Sequence, residues 1–165
     1  MSAATSAYVR TVSQVSRAAA VLALALMAAA VLVVSEMVFM RYVLRASTVW
    51  QTEFVIYSLV AATFIGSPFV LMEKGHVNVD ILITSAPPRG ALALQIIAGL
   101  IGLSFCALLA WSGWVYFHEA WAGRWTTETV WALPLWIPLL PLPTGIGLLC
   151  LQYVAELIKL KDEGA

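Results

Sequence analysis

Apolar residues run in long stretches along this chain, and short polar segments separate them. Four of these stretches cover residues 18–40, 54–72, 91–117 and 133–158. Each can cross a bilayer core of about 30 Å, which takes roughly 20 residues of helix. Backbone polar groups in lipid must be satisfied internally, and runs of this length are typical of helices. The sequence therefore predicts an all-α membrane protein with four transmembrane helices, in which residues 1–165 form a single membrane domain.

A short segment after the first stretch, residues 41–52, is too polar to cross the membrane. It combines Arg41, Tyr42, Arg45 and Trp50 with aliphatic side chains. Such a mixture is typical of a helix that lies in the headgroup region, with its guanidinium groups near the phosphates. We therefore expect a short interfacial helix here, and an ordinary loop is the alternative.

The fourth stretch begins with a run of prolines, Pro134, Pro138, Pro141 and Pro143. Proline lacks the backbone donor of a helix and clashes with the preceding turn. We expect a kinked or partly unwound start and a regular helix from Thr144 onward. Broken helices can mark substrate sites in transporters. Because this break lies near the membrane surface, where water can satisfy the freed carbonyls, a simple proline-rich start is favoured.

Composition supports the membrane interpretation. The mean hydropathy is +0.91 and only 11% of the residues are charged, which is too little charge to cover a soluble domain of this length. The net charge is zero and there is no basic run, so no nucleic acid is expected as a partner. The first stretch is too long for the apolar core of a cleaved signal peptide, and a retained anchor is expected.

Basic residues in the flanking segments predict the orientation of the chain. The segments on one side of the membrane hold six of them, and those on the other side hold three. Because basic flanks favour the cytoplasm, both termini are expected there. The six are Arg10, Arg17, Lys74, Arg89, Lys159 and Lys161, and the three are Arg41, Arg45 and Arg124.

Two of the acidic residues in or beside the predicted spans have positions that suggest a role. Glu36 lies inside the first one, near its end, so it can extend to the surface or pair with Arg41. An ion-coupling role is the sharper alternative, because charged residues within spans are often functional. Glu53 precedes the second span, where a carboxylate complements the dipole of the helix.

The sequence indicates neither a metal site nor a catalytic site. Cys106 and Cys150 lie inside apolar stretches and are expected to pack there. His76 follows the second span and His118 follows the third, so they are expected on opposite membrane faces, about 30 Å apart, and cannot bind one haem. No phosphate-binding loop, nucleophile elbow or zinc-protease motif appears. We predict no cofactor and no enzymatic activity.

Most of the tryptophans lie between Trp111 and Trp136, around the end of the third span. Steps of three and four place a set of them on one predicted helical face. An aromatic belt at the membrane interface explains part of this pattern. Because some of these residues lie beyond the expected membrane edge, we also predict a protein-docking face there. Its members are Trp114, His118, Trp121 and Trp125.

Three motifs, in this order, resemble the small permease subunit of tripartite ATP-independent periplasmic (TRAP) transporters. The first is Arg41-Tyr42-Val43 followed by Trp50 and Glu53, the second is the segment 73–80, and the third is Pro134-Leu135-Trp136 followed by Pro143 and Gly145. The resemblance covers most of the chain, from about residue 36 to residue 158. Thr52 departs from the family, which often has an acidic residue at that position.

The resemblance implies a non-catalytic subunit of a sodium-dependent transporter for an organic acid, in the bacterial inner membrane. Family members pair with a large permease subunit, which holds the substrate and sodium sites, and a periplasmic substrate-binding protein delivers the substrate. The small subunit is expected to scaffold the large one and to help dock the binding protein, in contact with membrane lipids. Candidate subunit-interface or interfacial anchor residues are Arg41, Tyr42, Arg45, Trp50, Glu53, Glu73, Lys74, His76 and Asp80.

Some alternatives stay open from the sequence. The segment from Glu73 to Asp80 is expected to form a charged cluster at the cytoplasmic interface, and a solvated loop is the alternative. A small multidrug exporter also has four helices, but it relies on a glutamate deep in its first helix, whereas Glu36 lies near the end of its span. A stand-alone membrane assembly factor is the other alternative.

Overall fold

Residues 3–73 and 88–163 are described by the computed structural model of the protein. They form helices α1 (Ala3–Tyr42), α2 (Trp50–Met72), α3 (Pro88–Ala122), α4 (Trp136–Leu139) and α5 (Pro141–Glu163). Four segments in this part of the chain are long and apolar enough to cross a membrane: Thr5–Tyr42, Trp50–Met72, Gly90–Ala122 and Trp136–Lys161. The prediction of an all-α protein with four transmembrane helices is confirmed.

The helices are arranged around a central pair, α2 and α5. Helix α1 packs mainly on α2, and α3 packs on α5. Helices α1 and α2 are antiparallel, because Thr52 lies beside Met37 near one end and Gly66 lies beside Ala23 farther along. The two outer helices thus pack on the central pair rather than on each other.

Small side chains let α1 and α2 approach closely. A Cβ atom added at Gly66 would lie 3.3 Å from the Cβ atom of Ala23. Small residues at helix contacts are typical of membrane proteins, because close backbone approach supplies the van der Waals contact that drives association in lipid. The buried alanines of these two helices are Ala19, Ala23, Ala30, Ala61 and Ala62.

Helix α3 presents a row of small residues to α5. Large side chains of α5 fill the space along this row. A Cβ atom at Gly102 would lie 2.8 Å from the hydroxyl oxygen of Tyr153, and one at Gly113 would lie 3.0 Å from Cγ of Leu142. Cys106 is buried in this interface, as its apolar sequence context predicts. The row comprises Gly99, Gly102, Cys106, Ala110 and Gly113.

The backbones of α5 and α2 approach each other closely at Gly145. A Cβ atom added there would overlap the carbonyl group of Phe64 and would lie 3.0 Å from the amide nitrogen of Ile65. Only glycine leaves room for this crossing. The close packing of α5 on α2 therefore explains the glycine of the Pro143-x-Gly145 motif.

The connection between α1 and α2 corrects one prediction. Arg41 and Tyr42 complete α1, residues 43–49 are irregular, and Trp50 begins α2, so the expected interfacial helix over 41–52 is not formed. The reason is that α1 and α2 are antiparallel neighbours joined by only a short segment. This segment must reverse the direction of the chain and leaves no room for another helix. Arg45 makes the reversal with a φ of 52°, and the amide of Ala46 donates to the carbonyl of Met40 at 3.1 Å.

The fourth span begins with a break, as the prolines predict. The single turn α4 ends at Leu139, and α5 begins at Pro141 rather than at Thr144. The difference has a simple cause, since a proline in the first turn lacks only a donor that would have no partner there. Thr144 is the first residue of α5 to donate a helical hydrogen bond, to Leu140 at 3.4 Å.

Candidate functional site

The connections 43–49 and 123–135 lie at the same end of the bundle, since the rings of Trp50 and Trp131 are 6.5 Å apart. We call this the aromatic end. At this end α3 stops in a turn that needs a residue in the left-handed conformation, and Arg124 takes that position with a φ of 50°. The amide of Arg124 donates to the carbonyl of Trp121 at 3.3 Å, and that of Trp125 donates to Ala120 at 3.1 Å. This pair of hydrogen bonds is the Schellman motif, which usually has glycine where Arg124 stands.

The turn corrects the prediction that Trp125 shares a helical face with Trp114, His118 and Trp121. Helix α3 ends at Ala122, so Trp125 is not part of it. Its ring packs on Tyr116 instead, at a centroid distance of 6.3 Å. The steps of three and four in the sequence continue past the point where the helix stops. His118 lies on α3 and is exposed.

The aromatic residues that do form a row run along α3 and across to α4. Ring centroids are 5.8 Å apart for Trp114 and Phe117, and 6.3 Å apart for Phe117 and Trp121. Trp121 then meets Trp136 edge to face at 4.8 Å, which is a favourable geometry for two aromatic rings. Phe117 and the cross-helix partner Trp136 were not among the residues predicted for this face. The Pro134-Leu135-Trp136 motif was the available signal for Trp136.

A groove opens at the aromatic end beside this row. Its volume is about 470 Å³, and it combines two indole rings with the Arg124 side chain. An aromatic surface with one guanidinium group suits contact with another protein, because tryptophan and arginine are enriched where protein interfaces bind most strongly. The lining residues are Trp121, Arg124, Thr126, Pro134 and Trp136.

Backbone hydrogen bonds hold the loop that forms one wall of the groove. Thr127 donates its amide to the carbonyl of Leu133 at 2.9 Å, and its hydroxyl oxygen accepts from the Leu133 amide at 3.0 Å. Leu135 donates to the carbonyl of Trp125 at 2.8 Å. Thr127 is buried. The loop is therefore a folded hairpin-like unit that positions the groove.

The candidate residues of the first connection are divided by the fold. Arg41, Tyr42 and Arg45 are exposed at the aromatic end. Trp50 packs against Phe54, with ring centroids 6.3 Å apart, and against Trp131.

Glu53 differs from these neighbours because it is only 8% exposed. Its Oε2 atom and the Oε1 atom of Gln51 are buried without a hydrogen-bond partner. Sequence reasoning placed Glu53 at the start of a helix but gave no sign of this burial. A buried oxygen atom without a hydrogen-bond partner is unfavourable, so the burial of these two atoms calls for a physical explanation.

The second candidate set is only partly visible. Glu73 ends α2, where its amide donates to the carbonyl of Phe69 at 3.0 Å, and its side chain is exposed. Lys74, His76 and Asp80 lie outside the described residues, so the predicted charged cluster is not tested.

A buried polar network that the sequence did not predict lies at the opposite end of the bundle. Gln152 on α5 accepts a 2.8 Å hydrogen bond from the hydroxyl of Ser16 on α1. It also donates to Glu156 at 2.8 Å, and Lys159 forms an ion pair with Glu156 at 2.7 Å. The available signal was a glutamine inside an apolar stretch, followed by Glu and Lys at helical spacing.

Glu36 lies on α1 and is exposed. The pair with Arg41, one of the two expected arrangements, is not formed, and within the described side chains the ion pair is the one between Lys159 and Glu156. No group of three or more His, Cys, Asp or Glu side chains that could hold a metal ion occurs among residues 3–73 and 88–163.

Comparisons with known proteins give a consistent result. The family profile described as tripartite ATP-independent periplasmic transporters, DctQ component, matches residues 30–162. A C4-dicarboxylate TRAP transporter small permease protein DctQ of Vibrio cholerae is 27% identical over 138 residues, which are 71% of this chain and 60% of that protein. A putative TRAP transporter small permease protein of Haemophilus influenzae is 25% identical over 104 residues, which are 63% and 65% of the two chains. This chain thus spans less than two thirds of the length of both relatives.

Proposed function

Because this chain belongs to the DctQ component family of tripartite ATP-independent periplasmic transporters, we propose that it scaffolds the large permease subunit and helps dock the periplasmic substrate-binding protein. The chain is a non-catalytic, multi-pass membrane subunit of the inner membrane. We infer further that the transporter takes up an organic acid together with sodium, and that the chain acts as one membrane domain.

The observation that carries the docking role is the groove between Trp121 and Trp136 at the aromatic end. Its wall is fixed by the Thr127 hydrogen bonds, so it is formed before any partner binds. Preformed surfaces bind with less loss of conformational freedom. His118 on α3 and Trp125 on the turn that follows it are proposed to belong to the same docking surface.

The scaffolding role is supported by how little of the chain is covered by its own folding. In the most apolar part of α3 only 6% of the residues are buried, and in that of α1 only 17%. Two outer helices with open sides are suited to contact a larger membrane protein as well as lipid. The interface candidates at the aromatic end are Arg41, Tyr42, Arg45, Trp50 and Glu53, and those that follow α2 in the sequence are Glu73, Lys74, His76 and Asp80.

The substrate class is supported by a relative rather than by a site in this chain. The V. cholerae protein is named for C4-dicarboxylates. We therefore propose a carboxylate as the transported substrate, bound by the large permease subunit.

The orientation follows from the excess of basic residues near the termini and in the segment that joins α2 to α3. Both termini are then cytoplasmic, and the aromatic end faces the periplasm, where a substrate-binding protein can reach the groove.

The test is uptake of labelled succinate by cells that express the large permease and the binding protein with or without this chain. We expect sodium-dependent uptake only when all three are present. Trp121→Ala combined with Trp136→Ala should reduce uptake and raise the concentration of binding protein needed for half-maximal rate. Trp111→Ala is the control, because Trp111 is 70% exposed but does not line the groove.

Full uptake without this chain would contradict the scaffolding role. Unchanged uptake by the double variant, with normal amounts of the chain in the membrane, would contradict the docking role alone.

A further inference from the structure

One face of α1 carries a charged side chain and has no neighbour among the described residues. Glu36 is exposed on this face between apolar side chains, with Leu32 70% exposed and Phe39 55% exposed. The opposite side of the helix is the one that packs on the rest of the protein, and it includes Ser16, Ala23 and Ala30. We call the open side the Glu36 face, and it consists of Leu32, Glu36 and Phe39.

Glu36 lies within the apolar part of α1. It precedes Met40, the last residue of the apolar stretch, by four positions, which corresponds to about 6 Å along the helix. The Cα–Cβ bond of a helical residue tilts toward the N-terminus of the helix. For Glu36 this direction is away from the aromatic end, so its carboxylate must bend back along the helix to reach the surface.

A carboxylate in the apolar layer normally faces protein or water and not lipid. The open side of α3 shows the contrast. Its exposed side chains in the middle of the span are apolar, such as Ile101, Phe105 and Leu108. The hydroxyl of Ser104 donates to the carbonyl of Leu100 in the same helix. Lipid can therefore cover this side of α3, whereas a polar partner would stabilise the carboxylate on the Glu36 face.

We propose that the Glu36 face of α1 binds the large permease subunit, and that a basic side chain of that subunit pairs with the Glu36 carboxylate. This proposal rests on the proposed function and names the surface through which the scaffold is attached. Charge complementarity selects the occupant, because a single arginine or lysine within an apolar helix surface matches a single carboxylate within this one.

A photo-crosslinking experiment locates the interface without disturbing the carboxylate. A benzoylphenylalanine residue is placed at Leu32 or Phe39 in the full chain, which is expressed with the large permease subunit in native membranes. The matched controls carry the same photoreactive residue at Ile101 or Leu108 of α3, where exposure is similar. We expect a covalent product of the two subunits from the α1 positions and products with lipid from the α3 positions.

A second experiment tests the charge. The large subunit that co-purifies with the tagged chain is measured for Glu36→Gln and Glu36→Lys, and for Glu128→Lys, which makes the same charge change in the exposed loop of the aromatic end. We expect about tenfold less large subunit with Glu36→Lys, a smaller loss with Glu36→Gln and none with Glu128→Lys. If Glu36→Lys does not accumulate in the membrane, the charge pair is tested by Glu36→Gln and the interface by the crosslinks.

The outcomes separate this proposal from the function on which it rests. If the wild-type subunits co-purify but only α3 crosslinks to the large subunit, or α1 crosslinks only to lipid, the Glu36 face is not the interface and the scaffolding role stands. Glu36→Gln with undiminished co-purification overturns the charge pair. If the wild-type chain does not co-purify with the large subunit at all, both ideas are wrong.

Discussion

Ser16 and Gln152 are joined by a buried 2.8 Å hydrogen bond although they lie 136 positions apart in the chain. The bond connects α1 to α5, two helices that share less contact than α1 and α2 do. It fixes how the N-terminal part of α1 lies against the end of the last span. Gln152 also donates to Glu156, so one amide group serves two helices.

Replacing Gln152 with leucine should destabilise the bundle by about 1 kcal/mol, because the hydroxyl of Ser16 loses its acceptor. The measurement is the unfolding of the purified chain in mixed detergent micelles. Ser104→Ala is the control, because its hydroxyl bonds only within α3. Equal stability of the two variants would show that the network adds nothing to packing.

Glycine at position 145 should be far less replaceable than glycine at position 147. Gly145→Ala places a methyl group on the Phe64 carbonyl and should destabilise the fold by about 1–3 kcal/mol, as other overpacked contacts do. Gly147→Ala has open space within 4 Å and should be neutral or slightly stabilising. The measurement is the thermal midpoint of each variant in the same detergent. A lower midpoint for Gly147→Ala than for Gly145→Ala would contradict the close crossing of α2 and α5.

Arg124→Gly should separate stability from docking. Glycine accepts the left-handed conformation without strain, so the variant should be more stable by up to about 1 kcal/mol. The same change removes the guanidinium group from the groove and should weaken binding of the substrate-binding protein. Arg124→Ala keeps the strained backbone, and it should lose binding without the gain in thermal midpoint.

Glu53→Leu tests the reason for a buried carboxylate. In the isolated chain the replacement removes an unpaired oxygen, so the free energy of unfolding should stay the same or rise by about 1 kcal/mol. In the presence of the large permease subunit, we expect less complex if Glu53 is an interface residue. A clear loss of stability in the isolated chain would show instead that Glu53 supports the fold by itself.

The orientation can be tested with reporter fusions. Green fluorescent protein fused after Ala165 should fluoresce, and alkaline phosphatase at the same position should be inactive, because the C-terminus is expected in the cytoplasm. Alkaline phosphatase inserted after Val130, which is 87% exposed at the aromatic end, should be active. The opposite pattern would reverse the topology and place the groove where no periplasmic protein can reach it.

The sequence predicted the four spans because their length and apolar content are local properties. It also predicted the break before α5, since each proline acts on its own turn. It failed for the first connection, where the short reach between antiparallel α1 and α2 prevails over the amphipathic pattern of 41–52. The prediction that Trp125 lies on α3 failed for a similar reason. Periodicity does not show where a helix ends, and Arg124 occupies the position at which a glycine usually marks the end.

Contacts between distant segments were the other gap. The Trp121–Trp136 pair, the Ser16–Gln152 bond and the burial of Glu53 depend on which helices are neighbours, and a single sequence does not give that order. Gln152 and Gly145 were visible as exceptions within an apolar stretch. Their partners, Ser16 and Phe64, became identifiable only when the packing of α1, α2 and α5 was known.

The order of the helices has a consequence for permeation. A lumen through a membrane requires a ring in which every helix touches two neighbours, so that the wall closes around water. Among the described helices α1 contacts both α2 and α5, whereas α3 is attached mainly through α5 and the short α4, so the four long helices do not close into such a ring. An ion or solute moving along the described helices would meet hydrocarbon on the open side, so an aqueous route along them needs a wall from other residues or from another polypeptide.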